Sequence, residues 1–167
     1  MRNRVALLAP AVIGLASLVA AEPVPDVAGT KHNLSASSTG STRAVSEDEI
    51  CVFCHTPHGA TSFPGSPLWN RQLSSQTYTV YTSSSLDAED IMGQLDQPGG
   101  SSKLCLSCHD GTLALGTVNV LNGTLGGSIA MIGTDPDGTM PAGGGSLTGA
   151  TRDLGTSLSN DHPIALT

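Results

Sequence analysis

All four cysteines of this 167-residue chain are spent in two copies of one pattern, Cys51-Val52-Phe53-Cys54-His55 and Cys105-Leu106-Ser107-Cys108-His109. Two thiols one helical turn apart can reach the edge of one flat macrocycle, and the imidazole that follows then lies beneath its centre. That is the Cys-x-x-Cys-His signature of c-type haem attachment. Cys51, Cys54, Cys105 and Cys108 are therefore the expected thioether positions, His55 and His109 are the expected proximal iron ligands, and the expected cofactors are two covalently attached haems c.

Other uses of paired cysteines fit less well. The gap from Cys54 to Cys105 far exceeds zinc-ribbon spacing, and zinc has no need of a His in the matching place after each pair. A thiol-disulfide exchanger would be set in a thioredoxin-like βαβ pattern, which is not legible here. Composition favours haem as well. Aromatic residues make up only 3% of the chain, while 20 glycines and 10 prolines punctuate it. Such a chain builds a poor core from its own side chains, and two rigid apolar macrocycles would supply the missing packing centre.

The expected fold is accordingly loop-rich and mostly irregular, a small haem-packed multihaem cytochrome domain with short α-helices at the two motifs. Ser46 and Glu49 have the form of a capping box that leads a helix into Cys51 and His55, stopped by Pro57. Ser101 or Ser102 is placed to cap a second helix through Cys105 to His109, with Asp110 and Gly111 as its stop. Asp87 to Gln94 suits another helical turn or two. Leu113, Leu115, Val118 and Val120 suggest a short strand or two, whereas Gly126 to Gly149 favours loops.

Arg2 and Arg4 precede an apolar run from Val5 to Ala20, with Val19 and Ala21 in the positions that a signal peptidase reads. Residues 1–21 are read as a signal peptide, 22–45 as an extended N-terminal arm and 46–167 as the dihaem domain. The apolar run is short for a membrane span and meets Glu22, Pro23 and Pro25 at once, so no stable span is expected in the mature chain. Removing Arg2 and Arg4 leaves 5 basic residues against 14 acidic ones and takes the formal charge from −7 to −9. That balance argues against nucleic acid as a partner.

Three histidines, His32, His58 and His162, remain for the sixth coordination positions of two irons. Met140, in Thr139-Met140-Pro141, competes as a distal thioether and ranks below them, because Met92 and Met131 show that apolar Met is ordinary here. Irons closed on both faces have no room for oxygen, nitrite or peroxide and change oxidation state with little rearrangement, which favours electron transfer over catalysis.

Several blocks carry a resemblance: Lys31-His32-Asn33-Leu34-Ser35, Cys51 to His58, Pro67-Leu68-Trp69-Asn70-Arg71, Cys105 to Gly111, and Leu158 to Ile164 around His162. Together they resemble the bacterial multihaem cytochromes c of the doubled Cys-x-x-Cys-His type, from Lys31 almost to the last residue. The resemblance implies bis-histidine haems, with His58 a candidate sixth ligand for the second site. Some such cytochromes are subunits of extracellular filaments in which a His near one end completes a haem in the next subunit, and His32 and His162 lie near the ends.

The expectation is thus a periplasmic or extracellular dihaem electron carrier, not an enzyme, serving redox partner proteins or extracellular acceptors, and forming a homo-oligomer or filament with inter-subunit haem contacts. A monomeric periplasmic shuttle is the other form of the same reading. From a different class, the alternative is a small haem reductase or peroxidase with one open iron.

Overall fold

The computed structural model describes residues 26–66, 68–84, 96–142, 152–162 and 164. The expected signal peptide and the helical turns expected at Asp87 to Gln94 lie outside them. Among the described residues, no helix is long and apolar enough to cross a membrane.

Regular structure is sparse, as the glycine and proline content requires. One α-helix, α1 (Gly100–His109), carries the second motif. It holds neither proline nor a β-branched residue, and Leu104 and Leu106 turn inward. Its start differs from the expectation: Gly99 is the N-cap and no side chain caps the helix, so Ser101 and Ser102 lie inside the first turn. Its stop is as read. The Asp110 amide donates to the Leu106 carbonyl at 3.1 Å. Gly111 then turns left-handed at φ 68°, a conformation that costs glycine nothing.

The first motif forms only a 3₁₀ turn, Cys51–Phe53, with no side-chain cap. The expected Ser46–Glu49 capping box does not form, because backbone groups in it and beside it are claimed by other partners, tertiary and local. The Glu47 carbonyl accepts from the Ala36 amide at 2.6 Å, and the Val45 amide donates to Ala130 at 2.8 Å. Glu47 Oε1 meanwhile accepts from the Glu49 amide at 2.8 Å. The arm is consequently docked in its described part: β1 (Arg43–Ala44) lies antiparallel to β4 (Met131–Ile132).

β2 (Thr117–Leu121) and β3 (Thr124–Ser128) form a hairpin in which Leu121 faces Thr124. Asn122 and Gly123 make its two-residue turn at φ 50° and 77°, the left-handed pair that matches the twist of the flanking strands. Gly126 and Gly127, expected in a loop, instead belong to β3, since backbone pairing needs no side chain.

Each motif stands over its own small core. Phe53, fully buried, packs with Ala44, Val118 and Ile129 under the first. Leu106 packs with Tyr78 and Leu158 under the second.

Candidate haem-attachment sites

The segment Trp69-Asn70-Arg71 is the strut between the two motifs. Asn70, fully buried, receives the first: its amide donates to the Cys54 carbonyl at 2.9 Å, and its Nδ2 donates to Val52 O at 2.6 Å and to Val120 O at 2.9 Å. Its Oδ1 accepts from the Val120 amide at 2.9 Å, which fastens the hairpin to the same side chain. Arg71 receives the second motif. Its guanidinium donates to Ser107 O at 3.2 Å and Ala114 O at 3.0 Å through Nη2, and to Leu115 O at 2.6 Å and Thr117 O at 3.1 Å through Nη1.

At the first motif, Cys51 is exposed and Cys54 half-buried. The His55 amide closes the turn onto the Cys51 carbonyl at 2.8 Å. The exposed His55 ring stands edge-on to Trp69 at 6.4 Å between centroids. Trp69 Nε1 is buried without a hydrogen-bond partner among the described residues. His55 and His58 line one cleft of about 300 Å³ with Val52, Val120 and Leu125. Leu125 is 77% exposed, so the cleft presents apolar surface with no cover among the described residues.

At the second motif Cys105 is exposed and Cys108 half-buried on α1. His109 Nδ1 lies 2.6 Å from the Arg152 carbonyl. A carbonyl can only accept, so Nδ1 carries a proton; in the neutral ring Nε2 then holds the lone pair, which is the usual second-shell arrangement of a metal-ligating His. The His32 ring stands 6.4 Å from that of His109, centroid to centroid, at 79°. His162 is exposed, between Leu158 and Ile164, which both pack beside Leu106. Met140 is buried.

None of the four cysteines forms a disulfide. Burial, reinforced by the neighbouring Cys108 and only partly offset by Arg71, pushes the Cys54 thiol up to about 11. Burial likewise raises Cys108, against the opposing pull of Arg71. A redox-exchange or nucleophilic cysteine needs the opposite shift. Nor, among the described residues, do three His, Cys, Asp or Glu side chains converge as a zinc cage demands. The donor set fits a porphyrin held from its edge: one exposed and one half-buried thiol at each motif, an imidazole directly after them, and at His109 a tautomer already set.

Sequence reasoning missed Asn70 and Arg71 as structural agents, although both stood in a block singled out for its resemblance. It also missed Arg152, whose contribution is a backbone carbonyl and leaves no mark in the sequence. No protein-family model matches the chain, and no curated protein is significantly similar to it.

Proposed function

We propose that the chain is a dihaem c-type cytochrome that transfers electrons in the periplasm or outside the cell. The observation that carries this reading is at the second motif: Cys105 and Cys108 lie on one helix, and the next residue, His109, has its Nδ1 proton committed to the Arg152 carbonyl, so that Nε2 is left to bind iron. Cys51 and Cys54 would hold the other haem, with His55 as proximal ligand. When bound, haem supplies a one-electron iron couple that protein side chains lack. The chain's own part is to hold each group by two thioethers, to fix the His109 imidazole through the Arg152 carbonyl and to keep the motifs at a set separation through Asn70 and Arg71. The uncovered apolar surface at Leu125 and beside His55 supports a haem-packed domain. The distal ligands are drawn from His32, His58 and His162, and the finer reading is a homo-oligomeric or filament subunit whose net negative charge suits basic redox partners.

Expression with its export segment in a host that matures c-type cytochromes tests this. Intact mass should show two covalent haems, which reduce and reoxidise reversibly. Replacing either cysteine pair by alanine should remove one. Haem-free protein under conditions that mature a control cytochrome would overturn the proposal.

A further inference from the structure

A metal–imidazole bond of about 2 Å, plus roughly 1 Å from nitrogen to ring centre, sets two imidazoles on opposite faces of one ion about 6 Å apart between centroids. The rings of His32 and His109 lie 6.4 Å apart. An edge-on ring contact alone also falls in this range, as His55 and Trp69 show at 6.4 Å, so the separation matches a shared ion and the ligating atom of His109 adds the second argument. His109 is also the ring whose Nδ1 is already bonded away to Arg152, which leaves Nε2 as its ligating atom.

His32 is held in place from both sides of its own sequence. Its amide donates to Thr30 Oγ1 at 3.2 Å. Asn33, next to it and buried, donates through Nδ2 to Ala28 O at 3.0 Å. Asn33 Oδ1 accepts from both the amide and the hydroxyl of buried Ser35, at 3.0 and 2.8 Å. The Leu34 carbonyl then takes the Ala44 amide of β1 at 2.7 Å. Further along the arm, Thr42 donates to Gly133 O at 2.8 Å, and Arg152 Nη1 approaches its hydroxyl to 3.5 Å. The segment that presents His32 and the segment that orients His109 are therefore braced against one another.

We infer that His32 is the second axial ligand of the haem attached at Cys105 and Cys108, opposite His109 and within the same chain. This rests on the dihaem reading above and deepens it. It gives the arm a function, which is to close the second iron. It also leaves His32 unavailable for donation to a neighbouring subunit, so that any ligand crossing a subunit boundary must be His58 or His162.

The test uses the haem-loaded, size-selected monomer, with two haems verified by mass. In the ferric state His32→Ala should convert the iron held at Cys105 and Cys108 to high spin, removing that iron's low-spin resonance signal, and added imidazole should restore it. In a Cys105→Ala/Cys108→Ala background, which retains only the first haem, the same substitution should change nothing. His32→Met, which keeps a ligand and protects folding, should leave both irons six-coordinate while raising the potential of one. Unchanged low-spin intensity in His32→Ala, a spin change in the single-haem background, or unaltered potentials in His32→Met would each overturn the inference. Absence of haem from the unsubstituted protein would instead defeat the functional reading itself.

Discussion

Arg71, 1% exposed, donates through Nη2 to the carbonyl of Ser107 at 3.2 Å, the residue just before Cys108. Among the described residues no carboxylate is bonded to the guanidinium; its terminal nitrogens are met by four main-chain carbonyls. A buried cation so held acts as a hub, drawing the end of α1 and the start of β2 onto one point.

Arg71→Met should therefore cost about 3–5 kcal/mol, because four desolvated carbonyls lose their donors at once. Arg71→Lys restores the charge without the planar fork and should recover only part of this. Urea unfolding read by tryptophan fluorescence should show the midpoint fall with little change in slope. A loss under about 1 kcal/mol would mean that water replaces the guanidinium and that the hub carries little.

Asn70 separates donor from acceptor in one side chain. Asn70→Ala should cost about 2–3 kcal/mol by orphaning Val52 O, Val120 O and the Val120 amide. Asn70→Asp should cost more at neutral pH, since a carboxylate oxygen would then face two carbonyls. Acidification should relieve that penalty as the carboxylate protonates, so this variant should gain stability relative to Asn70→Ala between about pH 7 and 4.

Tyr78 and Asp110 make a pH-sensitive pair, with the phenol donating to Oδ2 at 2.7 Å. Burial opposes ionisation of Asp110, but hydrogen bonds from Ser74, Tyr78 and Thr112 outweigh it and hold the carboxyl below its ordinary value. Its stabilisation is thus complete above the unfolded pKa of about 4 and is lost as pH falls through the lower folded value. Tyr78 runs the other way. Burial first, and then the bond to Asp110, raise it from 10.0 to about 12 against a lowering bond from Ser74. Its contribution is complete below pH 10 and lost as pH rises towards 12. Tyr78→Phe should cost about 1–2 kcal/mol at pH 7, abolish the alkaline loss attributable to this phenol and blunt the acid dependence. Melting temperatures across the pH range check all three effects.

The Asn122–Gly123 turn supports both the hairpin and the lip of the cleft beside His55. Gly123→Ala should cost about 1–2 kcal/mol, because a Cβ is disfavoured at φ 77°. Asn122→Gly should be near neutral. Equal effects of the two in thermal unfolding would show that turn handedness does not limit the hairpin.

What was legible in the sequence was whatever is encoded over a few residues. The spacing within Cys105 to His109 put two thiols one helical turn apart with an imidazole directly after the second, and Asp110-Gly111 ended the helix where it does end. Glycine, proline and the shortage of aromatics gave a loop-rich chain. Local reading failed where a distant partner outbid a local signal. Ser46 to Glu49 has every mark of a helix start, yet Ala36 takes the Glu47 carbonyl and the Glu47 side chain takes the Glu49 amide first. The glycines of β3 look like a loop until β2 pairs with them.

The chemistry at the motifs was therefore set by sequence alone, since a Cys-x-x-Cys-His unit carries its thiols and imidazole wherever it goes. Tertiary structure decided what surrounds it. His32 reaches His109 across 77 positions only because the arm is pinned by Asn33, Ser35 and β1, and the proton on His109 is placed by a carbonyl 43 residues away. Such relationships depend on which distant backbone groups are left to be satisfied once the chain has packed, and no local pattern records that.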